Sequence, residues 1–532
     1  MSAAKGFAQS WIEQRRAEWS SWNREIWDYG ETAWREYRSA AWYVDRLEQA
    51  SFEVERGSAG MPTAFAARRG SSAGPTIAAY AEYDGVPDNC QAADVTPGPR
   101  PGVSPRAGGH TDPHSALGIA ALVGALAASE AMAAQGLAGR VALFGEPAEK
   151  VRGSKPIHAA KGYYDDLDAA ISFHPFYMLP LCNTARWDTH CGAGYAWVYR
   201  FICDRPESWP ASPWGGGADS PIPASHAAPR APGANDALVQ MYLQGKAAKE
   251  HLLPSGLSWS INETVLTAGQ ATADNLPAVE AEIMYMARVP SVALAEHVVA
   301  GLDRIAAAAA QASHCRWERQ WIAKSRPGLA NHAMAAVTYD NLAAAGAPVF
   351  GAPACDLARQ IQRTLGDAPQ ERPFLPQIEQ LLEPQAAEAA LRRILSPQQT
   401  HFTSDDYTEY CWHCPTSRFY VGRPALAPRP DGGAYPAWVM NALGGLAPCI
   451  DPMIETAAKT VAFTILDLVE RPEVLRQAKA EFVQRTGGGV GGSDWLAPLC
   501  DYAPPIDLRW PEYVTTARGT DWCIPARRNQ PA

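Results

Sequence analysis

The amino-acid sequence predicts an α/β protein: a largely parallel sheet with helices on both faces, carrying a smaller inserted α+β domain. Three observations predict it. Short apolar stretches alternate with helical ones over the first third of the chain. Those stretches lack polar alternation, as strands covered on both faces do. A change of composition at 204–233, dense in Pro, Gly and Ser, is followed by helix, strand, strand, helix. At 532 residues the chain is too long for one ordinary domain. The expected division is a main domain in two parts, 1–190 and 319–484, an inserted domain at 191–318, and a C-terminal extension at 485–532.

Residues 8–50 place Trp27, Ala33, Tyr37, Ala41, Val44 and Leu47 at helical spacing, predicting one or two amphipathic helices broken near Tyr29-Gly30. Six tryptophans between Trp11 and Trp42 read as a face packed on the body. PTAFAARRG and PTIAAYAEYDGVP read as strands, 115–135 as an Ala-rich helix and RVALFGEPAE as a buried strand. IHAAKGYYDDL reads as helical and DAAISFHPF as another buried strand. In the inserted domain, NDALVQMYLQGKAAKEHL and SVALAEHVVAGLDRIAAAAAQA are the helices; SWSINETVLTAG and VEAEIMYMARV are the strands. Residues 320–475 return to the main domain and close with the apolar helix IETAAKTVAFTILDLVE. The last stretch, from TGGGVGGSD onward, is expected to wrap the surface.

Composition removes several function classes. Lys+Arg 46 against Asp+Glu 56 gives a net charge of −10, without the basic footprint of a nucleic-acid binder. No run of eighteen apolar residues stands out, so no membrane span is expected, and the N-terminus shows no secretory signal. Eleven cysteines spread along the chain read as reduced thiols of a cytoplasmic protein. No P-loop, no GxGxxG after a strand and no GxSxG elbow is present.

Polar residues converge where apolar strands end: Asp84, Glu149 and His174. Ligands in such sheets bind beyond the carboxyl ends of the strands. In GGHTDPHSALG, His110, Asp112 and His114 alternate at the start of the Ala-rich helix, a set suited to zinc, manganese or a related ion. FGEPAEK brings Glu146, Glu149 and Lys150 to a strand end, where a carboxylate can exchange a proton with water beside a metal. ISFHPF adds His174. Taken singly, PAEK reads as a solvated loop and His174 as a structural histidine; their order within one α/β domain favours a site. CWHC (Cys411–Cys414) lacks a second Cys/His pair for structural zinc, and Asp405, Asp406 and Glu409 read as supporting acids at the cleft floor.

Together these segments resemble the two-domain metallohydrolases that include aminoacylases, carboxypeptidases and indole-acetyl-amino-acid hydrolases. The branch with aminobenzoyl-glutamate hydrolase is the nearest. The resemblance runs over about residues 20–480, through FEVERGSAGMPTAFAA, AEYDGVP, GHTDPHSALG, GEPAE, GYYDDLDAAISFHP, SHAAPRAPGANDAL, TADNLP and SDDYTEYCWHCPT. It implies a catalytic domain and a lid/dimerisation domain. It also implies metal ligation by Asp112 (where the branch has Cys), His114 and His174, with Glu149 as general base. His226 corresponds to a lid histidine that reaches across a dimer to the oxyanion, and Asn275 and Arg288 to contacts with a substrate carboxylate.

Two departures bear on the centre. The ligand glutamate expected after the base is Lys150, and the region of the expected C-terminal histidine holds Tyr435 and Pro436. One divalent ion, zinc or manganese, is therefore expected rather than two, with Glu146 or His110 as replacement ligand or Lys150 as substitute charge. The expected activity is metal-dependent cleavage of an amide C–N bond in a small N-acyl amino acid or aromatic carboxylate. The expected assembly is a homodimer taking a small acidic substrate, with Trp187 and Tyr195 as aromatic walls. Hydrolytic deamination of an aminoaromatic acid and a metal-free binding or partner subunit are the alternatives.

Overall fold

Among the described residues, eleven short strands carry the two sheets that organise the chain. The computed structural model describes residues 1–176, 178–209, 230–253, 259–269, 276–508, 512–516 and 519–523. In chain order the strands are β1 (Glu53–Arg56), β2 (Phe65–Gly70), β3 (Thr76–Ala81), β4 (Arg140–Gly145), β5 (Ala169–Pro175), β6 (Thr184–Ala185), β7 (Ala193–Ile202), β8 (Ser260–Thr267), β9 (Glu280–Val289), β10 (Arg316–Ser325) and β11 (Thr416–Val421). A separate hairpin pairs Glu512–Thr516 with Gly519–Cys523. The chain separates into two units: Met1–His190 with Gly328–Leu395 and Asp406–Ala532, and Cys191–Pro327 with Ser396–Asp405.

In the first unit seven strands lie in the order β1-β2-β4-β3-β5-β11-β6. The central four are parallel, with Thr76↔Arg140 to Ala81↔Gly145 and Thr416↔Ala170 to Val421↔Pro175 in register. Antiparallel pairs close both edges, so the sheet is mixed but mostly parallel at its core. β3 and β5 are buried at every position, as their unbroken apolar runs require. Parallel register brings the segments after β3 and β4, and the end of β5, to one edge.

The helix His114–Gln135 fills the space against this sheet, with 18 of its 22 residues buried. By length and composition alone it could cross a membrane, but 89% of its most apolar window is buried inside the fold. Its small residues let neighbours approach. A Cβ on Gly118 would lie 2.3 Å from the Tyr43 hydroxyl and 2.6 Å from the Glu82 carbonyl, and one on Gly124 would lie 2.7 Å from Val461 Cβ. Helix Ala447–Glu470 packs along it.

The N-terminal region folds as three helices, Ala3–Gln14, Arg16–Tyr29 and Tyr37–Gln49. The expected break is Gly30 at φ +51, where a side chain would meet the Gly108 carbonyl at 2.6 Å. A further break falls at Arg15. Trp19, Trp27 and Trp34 are fully buried, so the tryptophan-rich segment is a packing surface. After β4 the helix is limited to Lys155–Ala160, shorter than expected.

The second unit is a four-stranded antiparallel sheet, β10-β7-β9-β8, against which helices Ala234–Leu252 and Val292–Ala312 pack. β10 pairs with β7 along its length, which carries this unit to Pro327.

Candidate metal centre at the carboxyl edge of the parallel sheet

His114 opens the long helix directly after the loop that carries Asp112, and His174 is the penultimate residue of β5. Glu149 and Lys150 lie on a short turn after β4. Ala148 and Arg152 flank that turn at φ +57 and +61, conformations that cost a side-chain-bearing residue about 1 kcal/mol or more each. The Ala148 N–H donates to Glu36 Oε1 at 2.8 Å, which helps hold the turn. Burial and the charge of Asp84 push the Glu36 carboxyl well above its usual range.

Both histidines are oriented by their outer nitrogens. His174 Nδ1 lies 2.9 Å from the Pro175 carbonyl, which can only accept, so Nδ1 carries the proton. His114 Nδ1 lies 2.7 Å from Asp84 Oδ1, and Asp84 Oδ2 accepts the Lys150 backbone N–H at 2.8 Å. Both Nε2 atoms therefore face a common space, the orientation that a carboxylate or carbonyl behind a metal-binding imidazole produces.

Acids surround that space. Asp112 Oδ2 lies 3.4 Å from His174 Nε2 and 3.9 Å from His114 Nε2; Glu149 Oε2 and Glu82 Oε2 each lie 3.4 Å from His114 Nε2. Lys150 Nζ approaches His114 Nε2 at 2.9 Å, Asp112 at 3.4 Å and Glu149 at 3.9 Å. Burial would lower the lysine, but Asp112, Glu149, Asp84 and Glu82 hold its pKa above the usual value, so it is an ammonium. Burial alone would raise Asp112; Lys150, His174, His114 and Arg423 instead hold it well below the carboxylate range. Burial and Lys150 push His114 down and the acids more than reverse this. The ammonium at Nε2 nonetheless requires a ring nitrogen with a lone pair.

The donor set fits a divalent ion. Glu82, His114 and His174 offer atoms within 4.8 Å of one another, as do Asp84, His114 and Glu149, and every one of these residues is buried. Mixed imidazole and carboxylate donors suit zinc or manganese. The Asp84 oxygens already accept from His114 and Lys150, which makes Asp84 a positioning group.

The five central residues of the sequence reading, Asp112, His114, Glu149, Lys150 and His174, thus come together. Arg288 lies on β9 of the second unit, in register with Gly194 and Ser260 and partly exposed. His226 and Asn275 lie outside the described residues.

Both expected replacement ligands are turned elsewhere. Glu146 accepts from Ser154, His158, Tyr164 and Tyr410 at 2.6–3.0 Å, and although burial opposes it, His158 leads these partners in drawing its pKa down to about 2. His110 points Nε2 at the Ile26 carbonyl, 3.3 Å away, and burial lowers its pKa to about 3. Tyr435 donates to the Ala427 carbonyl. In CWHC, His413 pairs with Asp165 at 2.8 Å, and burial pushes the Cys414 thiol up, away from the thiolate that zinc needs. Of the expected aromatic walls, Tyr195 is buried with its hydroxyl on Glu296, and Trp187 stacks flat on His332.

Four residues at or behind the centre escaped the sequence reading. Arg152 pairs with Glu149 Oε1; Arg423 donates to the Thr111 carbonyl and lies 3.3 Å from Asp112 Oδ1; Glu82 and Lys155 form a fully buried pair at 2.8 Å. Glu82 alone left a signal, an acid directly after an apolar strand and two residues before Asp84.

No family profile matches the sequence. The chain is 27% identical over 360 residues to a subunit of the p-aminobenzoyl-glutamate hydrolase of Escherichia coli (strain K12), covering 68% of this chain and 69% of that protein. Among solved structures it is similar to an aminobenzoyl-glutamate utilization protein from Klebsiella pneumoniae, with TM-score 0.53 and 15% identity over 86% of this chain and 98% of that one. It is also similar to a protein from methicillin-resistant Staphylococcus aureus proposed to be an aminohydrolase, with TM-score 0.50 and 15% identity over 87% of this chain and 100% of that one. The fold is similar to that of these two solved structures, and imidazoles and carboxylates cluster at the carboxyl edge of its parallel sheet. Its sequence similarity is to the p-aminobenzoyl-glutamate hydrolase subunit.

Proposed function

We propose that this protein is a metal-dependent amidohydrolase that cleaves the C–N bond of a small N-acyl amino acid or aromatic carboxylate. The observation that carries the reading is the pair of inward-facing imidazoles, His114 and His174, set among buried carboxylates at the strand ends. Asp112, His114 and His174 would hold one divalent ion, zinc or manganese. When bound, the ion supplies a Lewis acid that lowers the pKa of water.

Glu149, tied at Oε1 by Arg152, keeps Oε2 toward the cluster, where it takes a proton from the attacking water and returns it to the departing amine. The Lys150 ammonium faces the negative charge that develops on the carbonyl oxygen. His226 adds a donor from the lid of a partner copy, so the working form is a homodimer. Asn275 and Arg288 orient the substrate carboxylate. The Escherichia coli relative is named for the hydrolysis of p-aminobenzoyl-glutamate, and that compound heads the substrate series. Freshly purified protein should carry metal, lose amide hydrolysis on exhaustive chelation and regain it with zinc or manganese. Full hydrolytic rate without metal would refute the mechanism.

One observation favours a second reading. Lys150 already places a cation 2.9 Å from His114 Nε2, as expected of a metal-free protein that binds a small acid. Less than about a tenth of an equivalent of metal in untreated protein would favour it.

A further inference from the structure

Glu82 is fully buried immediately after β3. Its Oε1 accepts from Lys155 Nζ at 2.8 Å. Lys155 is shared with Asp406 at 2.7 Å and lies 4.7 Å above the Tyr80 ring, so the carboxylate is clamped from behind. The Glu82 carbonyl also sits against Gly118 of the long helix, where a Cβ would approach it to 2.6 Å. With the carboxylate held in this way, Oε2 stands 3.4 Å from His114 Nε2.

That spacing is chemically informative. Ligands bound at about 2.0–2.1 Å around a tetrahedral ion stand roughly 3.3–3.5 Å apart. The Glu82–His114 separation has this value, and the same two residues converge with His174. The expected carboxylate after the base is absent, since position 150 is lysine. Glu146 and His110 are turned away, and both Asp84 oxygens accept hydrogen bonds.

Resting on the metal-centre reading above, we propose that Glu82 is a ligand of the ion, supplying from the end of β3 the carboxylate that Lys150 replaces. His114 Nε2 has one lone pair. An ion there displaces the Lys150 hydrogen bond and leaves the ammonium with Asp112 and Glu149.

The test is zinc binding by the full chain, measured by competition with a chromophoric chelator. Wild-type protein should bind about one equivalent, and Glu82→Gln should bind roughly 10-fold or more weakly, with Glu82→Asp between them. Wild-type protein that binds no zinc overturns the centre itself and the role of Glu82 with it. Wild-type protein that binds one equivalent while Glu82→Gln retains its affinity overturns the role of Glu82 alone. Because Glu82→Gln disturbs the buried Lys155 pair and can impair folding, the second measurement uses wild-type crystals soaked in zinc. An anomalous peak about 2.0–2.2 Å from a Glu82 oxygen is expected. A peak bonded to His114 and His174 but beyond bonding reach of Glu82 overturns the inference.

Discussion

His114 Nδ1 and Asp84 Oδ1 lie 2.7 Å apart, both side chains without solvent exposure, and this contact decides which nitrogen of His114 faces the centre. Asp84 also accepts the Lys150 backbone N–H and so joins the helix start to the turn after β4. Asp84→Asn retains the shape but loses the acceptor-only carboxylate that fixes the ring. Metal affinity should fall roughly 10- to 100-fold, read by chelator competition, with little change in melting temperature. Unchanged affinity would show that the contact does not control the ring.

Glu149→Gln keeps the volume and removes the base. Turnover should drop roughly 10²- to 10⁴-fold while the zinc content of the purified protein stays near wild type. Loss of metal together with turnover would make Glu149 a ligand instead.

Lys155 is the buried counter-charge of Glu82 and Asp406. Lys155→Met strands two carboxylates and should cost about 3–5 kcal/mol in denaturant unfolding. A loss below about 1 kcal/mol would mean that protonation or water offsets the missing cation.

Asp451, in helix Ala447–Glu470, has its pKa raised by burial to about 6, against lowering by Ser20 and Arg16. A carboxyl that is a weaker acid when folded costs nothing below its unfolded pKa near 4. The cost grows as pH rises toward 6 and is complete above it. Asp451→Asn should therefore raise stability at pH 7, by at most about 3 kcal/mol, and leave it nearly unchanged at pH 3.5. Unfolding curves at the two pH values check this; an equal effect at both would assign the change to packing.

Much of the centre was legible because its parts are local strings at element ends. An apolar run followed by a polar residue marks a strand leaving a covered sheet, and β3, β4 and β5 each end in this way. Asp112 and His114 are two residues apart, so one loop delivers both. Their partners were harder to find. Glu146 looked available at the same strand end, but Tyr164, Tyr410 and His158 enclose it from segments that only folding brings near. The long helix was legible as an Ala-rich helix, but its burial depends on Tyr43, Val461 and the sheet, which approach it through glycines.

Sequence by itself determined the mostly parallel α/β core and the residue types gathered at one edge of it, because hydrophobic periodicity and short-range motifs are written in consecutive positions. Tertiary structure alone decided which nitrogen His114 presents, that Lys150 points among the acids, and that Glu82 rather than Glu146 faces the imidazoles. Those outcomes depend on hydrogen-bond partners tens to hundreds of residues away, and a carboxylate's role is set by which donors reach it first.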